Sequence, residues 1–359
     1  MVGNYKIIQY YMTNEYLDKI KILNNDKINC CSTSNFDEKY ILAYPKMSRL
    51  GKVSLLANYP EFRNFGIEKL ICKKFNLSSI ILGSGSEDLI VKINYIAERN
   101  NWKVGFITPI FHRIIESFLG NDRKFIPAGK IFKYNYEKFD IVWMTNPNLF
   151  NGETHKKDDL IKLFKRYPRT IFIVDEAGIF TLVDWKKFTL LAQNRSIKNV
   201  VVLESFSKMF GLAGLRAGFA TGNKKIISEL RKNGNTFPFS SLTEYFLKFL
   251  LNKEAFINEI RNRIHNHKRE IEDLLGRDRD VIIKKNLTNC IFLKFKKKSK
   301  RYRYLLGRKI YFLDLNFKDN PEKRSGYIRI TIHSSKKLHD KVKSELIKIL
   351  NLRNVKKRF

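Results

Sequence analysis

From about residue 65 the chain alternates short, nearly unbroken apolar runs with longer stretches in which apolar residues recur every three or four positions. SSIILG (78–83), KVGFIT (103–108), FDIVWMT (139–145), TIFIVD (170–175), NVVVLE (199–204) and RAGFAT (216–221) read as strands. Runs of Ile, Val and Phe without polar alternation suit strands covered on both faces, so they predict a mostly parallel sheet between two layers of helices. EDLIVKINYIAERN (87–100) and KDDLIKLFKRY (157–167) are the clearest crossover helices. After about residue 245 the texture changes. One long helical stretch (242–275) leads to the strand-like runs DVIIKK, NCIFLKF and YIRITI and a closing helix, KLHDKVKSELIKIL. The pattern predicts an α/β fold with a large domain over 46–245. A smaller α+β domain takes 246–359 together with 1–45, an arm packed on that domain or on a partner subunit.

With 359 residues, 43% of them hydrophobic, the chain can bury one large core and a smaller one. No apolar run reaches the about 18 residues that span a bilayer, and no signal segment opens the chain, so a soluble, cytoplasmic protein without a membrane partner is expected. Cys30, Cys31, Cys72 and Cys290 lack CxxC spacing and read as reduced thiols. No metal is expected either: His265 and His267, two apart on a predicted helix, point in different directions. The net charge of +34 suits a polyanion partner. Its Lys and Arg residues are nevertheless spread along the whole chain, and no nucleic-acid-binding motif accompanies them. A composition rich in Lys, Asn, Ile, Phe and Tyr accounts for the charge, and nucleic acid is not an expected partner. Small anions would still be drawn to such a surface.

Chemistry concentrates in ESFSKMFGLAGLRAGFATG (204–222). Here a buried-type strand ends in Ser205, Ser207 and Lys208, with Arg216 shortly after. A lysine losing water at a strand end, near other cations, becomes a nucleophilic amine suited to Schiff-base chemistry. Two hydroxyls and a guanidinium fork are what a phosphate dianion beside it requires. Gly211, Gly214 and Gly218 would let the backbone turn and approach closely.

This S-x-S-K-x7-R run resembles the cofactor-lysine motif of the fold-type-I aminotransferases of classes I and II, most closely the histidinol-phosphate aminotransferase group. The resemblance implies pyridoxal 5'-phosphate held by Lys208, a seven-stranded-type sheet, and a homodimer with shared active sites. Further segments follow in the family's order. In FIVDEAG (172–178), Asp175 would pair with the cofactor's pyridinium nitrogen. TNPNLFNG (145–152) resembles the family's asparagine-proline turn, and Asn148 would donate to the phenolic oxygen, with Asn146 as the other candidate. LGSGSEDLI (82–90) is a glycine turn entering a helix. Its Ser84 and Glu87 have capping-box spacing, and the N–H groups of Gly85, Ser86 and Glu87 offer an anion site that resembles the family's phosphate cradle. Arg329 in YIRITI resembles the substrate-anchoring arginine. Tyr59, in Asn58-Tyr59-Pro60, would reach the cofactor phosphate of the neighbouring subunit. Phe111 would stack on the cofactor ring or serve the core.

Two positions depart from the pattern. Where the family has a tyrosine hydroxyl tuning the cofactor's phenolic oxygen, this chain has Gly178, which would alter that oxygen's surroundings or leave room for a substrate group or water. Where the family has an arginine that helps bind the substrate's phosphate, it has Leu313, with Lys318, Lys323 or Arg324 as substitutes. The expected activity is amino-group transfer between an amino acid and a small anionic substrate. Decarboxylation of a phosphorylated amino acid, as in threonine-phosphate decarboxylase, is the alternative chemistry. A non-catalytic basic binding protein on the same fold is the alternative of another class; keeping Lys208, Asp175 and Arg216 together argues against it.

Overall fold

Why the apolar runs become strands is plain in a computed structural model, which describes residues 28–30, 35, 57–191, 197–296, 310–314 and 327–355. After a two-residue strand, β1 (Ile28–Asn29), come β2 (Ile81–Ser84), β3 (Val104–Thr108), β4 (Arg123–Pro127), β5 (Ile141–Thr145), β6 (Ile171–Asp175), β7 (Val200–Ser205) and β8 (Ala217–Gly222). The last seven form one sheet in the order β2-β8-β7-β6-β5-β3-β4. All pairings are parallel except the two made by β8. Alternate residues serve two different cores. Ile173, Val201 and Leu203 pack with Leu89, Ile93 and Leu230, while Phe172, Val174, Val200 and Val202 pack with Ile71, Leu160 and Phe164. A strand buried on both faces has no use for polar alternation, hence the continuous apolar runs.

The helices cover both faces: α1 (Phe65–Phe75), α2 (Ser86–Arg99), α3 (His112–Glu116), α4 (Lys157–Arg166) and α5 (Lys224–Lys232). Beyond them the predicted long helix is two, α6 (Ser241–Leu251) and α7 (Glu254–Gly276). The break has a local cause: the Asn252 side chain donates to the Lys248 carbonyl at 2.9 Å and ends the first helix. The second sheet contains β9 (Val281–Lys284), β10 (Cys290–Phe295), β12 (Leu313–Asp314) and β13 (Tyr327–Thr331), antiparallel in the order β12-β13-β10-β9. Separately, β11 (Ile310–Tyr311) pairs in parallel with β1, so part of the N-terminal arm lies against the C-terminal third. The closing helix is α8 (Lys336–Val355). Among the described residues no helix is long and apolar enough to cross a membrane.

In a parallel sheet the carboxyl ends of the strands, with their open loops, are where ligands bind. Ser84, Thr108, Thr145, Asp175 and Ser205 close strands at that edge, and antiparallel β8 begins there, just after Arg216. The topology thus gathers residues from Ser84 to Arg216 around one rim.

Candidate active site

Lys208 follows β7 by three residues, half-buried, its carbonyl accepting the Asn35 N–H at 2.8 Å. Burial, together with the nearby positive charges of Arg329 and Arg216, lowers its ammonium to a pKa of about 8; Asp175 opposes them. One strand over, Asp175 is buried at the end of β6 and accepts the Ala177 N–H at 3.0 Å. Burial pushes its carboxyl above the ordinary range, against the pull of that N–H and of Lys208. An amine and an acid from adjacent strand ends therefore share one poorly hydrated space, where each biases the other's charge.

Ser205 and Ser207 are buried beside them, and the Ser205 hydroxyl accepts the Ser207 N–H at 3.1 Å. Arg216 turns into the left-handed region (φ 50°) and lays its guanidinium over the start of α2. That helix start is not the capping box its sequence predicts. Gly85 (φ 78°) is the N-cap, with no side-chain cap. Ser84 instead donates its hydroxyl to the Pro238 carbonyl, and Glu87 turns to Arg113, at 2.9 Å, with Arg216 at 3.7 Å. Asp88, one residue later, is the carboxylate that reaches back, to the Ser84 N–H. Leaving the first turn uncapped keeps the N–H groups of Gly85, Ser86 and Glu87 open toward Arg216, a natural seat for an anion. A side chain at 85 would fill it, because an added Cβ would lie 2.6 Å from the Arg216 guanidinium nitrogen. Of the three glycines named above, Gly211 needs its positive φ (66°) and Gly218 its close approach to main chain, whereas nothing lies within 4 Å of a Cβ on Gly214.

The asparagine-proline turn places both candidates but uses them differently. Asn146 spends its amide on the His155 and Phe188 carbonyls, on the far face of the sheet. Asn148 gives one hydrogen to the Pro109 carbonyl at 2.6 Å, while its oxygen accepts the Phe150 and Asn151 N–H groups. Asn148 thus has an amide hydrogen to offer. Phe111, half-buried, is the N-cap of α3 with its ring edge on His112. Arg329 comes from the second sheet, buried in β13; one terminal nitrogen donates to the Leu149 carbonyl at 2.7 Å, and its guanidinium lies over the Phe150 ring. Tyr59 stands apart, 84% exposed and stacked on Phe237. Leu313 sits opposite Arg329 in the β12–β13 register, while Lys318, Lys323 and Arg324 lie outside the described residues. Among the described residues no cluster of three or more His, Cys, Asp or Glu could hold a metal.

The room expected at Gly178 is not there. A Cβ on Gly178 would meet the Leu149 side chain at 3.1 Å, so Leu149 fills the space that a larger residue at 178 would need. Leu149 is a wall residue that the motifs alone did not single out. Gly178 was visible in the sequence as a departure, but only the fold reveals that Leu149 fills the space beside it. Gly178→Tyr alone is accordingly expected to destabilise by about 1–3 kcal/mol through overpacking. Much of that loss should return when Leu149→Ala is added. Thermal melts of both singles and the double would show it; strictly additive losses would sink the account.

The residues at the rim fit a cofactor with an aldehyde at one end and a phosphate at the other: a low-pKa amine, a buried acid, and an anion seat of hydroxyls, guanidinium and helix N–H groups. Comparison with known proteins agrees. The histidinol-phosphate aminotransferase of Ruminiclostridium cellulolyticum is 25% identical over 291 residues, 76% of this chain and 77% of its own. In fold, the chain resembles L-threonine-O-3-phosphate decarboxylase of Porphyromonas gingivalis, with TM-score 0.76 and 18% identity, over 90% of this chain and 99% of the other. It is also similar to Sinorhizobium meliloti histidinol-phosphate aminotransferase, solved with pyridoxal-5'-phosphate, with TM-score 0.75 and 16% identity over 98% of each chain. Residues 43–344 match the family described as aminotransferase class I and II. With that match over most of its length, and the rim residues in the family's order, this chain belongs to the class I and II aminotransferases.

Proposed function

We propose that this cytoplasmic enzyme uses pyridoxal 5'-phosphate to pass an amino group between an amino acid and a small phosphate-bearing partner, as its histidinol-phosphate aminotransferase relatives are named for doing. The observation that carries the reading is Lys208, its pKa lowered to about 8, beside a buried acid on the neighbouring strand. When bound, the cofactor supplies an aldehyde that condenses with amines and a ring that accepts the electron pair left when a bond to the substrate α-carbon breaks.

The chain's own groups do the rest. Ser205, Ser207, Arg216 and the N–H groups of Gly85, Ser86 and Glu87 grip the phosphate. Asp175 supplies the negative charge for the ring nitrogen, Asn148 its remaining amide hydrogen for the phenolic oxygen, and Phe111 an apolar cover for the ring. Lys208 first holds the aldehyde. Its freed amine would then move a proton at the substrate α-carbon, as base and then as acid. Arg329, already oriented by the Leu149 carbonyl, takes the substrate's anionic end.

The working unit is read as a homodimer. Tyr59, Phe62, Phe65 and Phe237 are all exposed, and the Arg63 N–H donates to the Thr236 carbonyl, tying the two segments into one aromatic patch. A surface of this kind usually has a partner, and Tyr59 is the residue expected to serve the neighbour's site.

The test is to supply a panel of isotopically labelled amino donors with phosphorylated and keto acceptors and follow the label by mass spectrometry. Label transfer supports the proposal. Carbon dioxide release without transfer would convert the reading to decarboxylation. Arg329→Lys keeps the charge but loses the planar fork, so KM for the anionic substrate should rise roughly 10- to 100-fold, the equivalent of about 1.5–3 kcal/mol for a hydrogen bond between charged groups. An unchanged KM would remove Arg329 from the substrate's path.

A further inference from the structure

Beneath the rim two glutamates stand side by side. Parallel pairing sets Asp175 opposite Leu203, and the next residue on each strand is Glu176 and Glu204. The ladder continues through them, the Glu176 N–H donating to the Leu203 carbonyl at 2.9 Å. Strand alternation sends both side chains to the face of Val174 and Val202, away from Asp175. Both are fully buried.

Their surroundings differ. Glu176 is well supplied: the Thr189 hydroxyl reaches one of its oxygens at 2.6 Å and the Leu190 N–H the other at 2.8 Å. Glu204 has no such partners within hydrogen-bond geometry; the adjacent Ser205 N–H favours its charged form, but less than burial opposes it. Its neighbour on the opposite side, across β8, is the buried ring-bearing Phe219. The charged groups that act most on Glu204 are Glu176 and Asp175, both acids. A buried carboxylate without a donor or a counter-charge is costly, and two touching carboxylates repel. One proton eases both problems, because it removes a charge and gives the pair a donor between the two carboxyls.

We propose that Glu204 is a positioning residue that keeps its proton and donates it to Glu176, tying together the strand ends that carry Asp175 and Lys208. Burial and the two neighbouring acids push the Glu204 carboxyl well above its ordinary range, in keeping with that assignment. The proton has a second consequence, which rests on the cofactor reading above. With Glu204 neutral, Asp175 faces one fewer buried anion and keeps its own charge more readily for the ring nitrogen.

The sign of the pH dependence follows. The unfolded chain releases this proton near the ordinary carboxyl value of 4.5, whereas the folded chain holds it. Folding stability attributable to Glu204 therefore falls as pH rises above that value, until the folded protein lets go as well. Glu204→Gln replaces the O–H with an N–H that does not titrate. Thermal unfolding midpoints of cofactor-free, full-length protein should be compared from about pH 5 to about pH 8.5, where such linkage operates. Relative to Glu204→Gln, wild type is expected to lose several degrees toward the alkaline end, and Glu176→Gln should flatten the wild-type slope as well. Parallel curves for wild type and Glu204→Gln would overturn the proposal. If Glu204→Gln does not fold, Glu176→Gln decides alone: a slope like wild type's sinks the idea. Loss of packing by itself would lower every midpoint without changing the slope. Since no cofactor is present, failure here leaves the cofactor reading standing, and the reverse also holds.

Discussion

Lys208→Ala is expected to purify without the visible absorption of a lysine-bound aldehyde cofactor and to turn over at least roughly 10²- to 10⁴-fold more slowly, the usual contribution of one positioned proton-transfer group. The amine's place explains the size of the effect. It stands at the end of β7 between Asp175 and two arginines, in surroundings poor in water. Lys130 also follows a strand at that edge, but its strand, β4, lies four strands from β7 in the sheet, too far to replace Lys208 by a rotamer change. A pH dependence accompanies the loss. With a pKa lowered to about 8, the neutral amine is the majority form above that pH and a shrinking minority below it. Uptake of the aldehyde by cofactor-free wild type should therefore slow as pH falls from about 8 and level off above it. Stopped-flow absorbance would follow the uptake. A coloured, active Lys208→Ala protein would end the assignment.

Gly218→Ala should damage the protein almost as severely by a different route. The added Cβ would lie 2.6 Å from the Ser86 nitrogen, 2.7 Å from the Glu204 carbonyl oxygen and 2.8 Å from the Gly85 carbonyl carbon. All three are main-chain atoms, so no side chain can swing aside. Either β8 leaves β7 or the start of α2 leaves β8, and each movement spoils the anion seat under Arg216. The expected cost is at or above the upper end of the about 1–3 kcal/mol typical of overpacking. Cofactor retention after dialysis should fall further than stability alone predicts. Gly214→Ala is the control, since its Cβ would enter open space. Equal effects from the two substitutions would show that close approach is not the reason for glycine at 218.

The features legible in the sequence were those decided locally. Strands buried on both faces announce themselves as apolar runs, and all six such runs became strands of the main sheet. The seventh, β4, did not stand out because it lies at the sheet's edge and exposes Lys124 and Phe125. An edge strand has one neighbour and need not be apolar throughout. The Ser205-Ser207-Lys208-Arg216 spacing pointed to an amine and its polar neighbours because one loop carries them all. What stayed hidden depends on register between distant segments. That Leu149 occupies the space over Gly178, that Glu204 abuts Glu176, and that Glu87 turns to Arg113 rather than capping its helix are all results of pairing, which no single stretch of sequence encodes.

One hold on Arg329 is the main-chain carbonyl of Leu149, which a change of side chain at 149 does not remove. Evolution can therefore exchange the residue at 149 without unfastening the arginine, provided the turn keeps its path. The side chain at 149 answers to its packing against Gly178, whereas the aim of Arg329 answers to the backbone. Bulk at 149 and direction at 329 can therefore change separately.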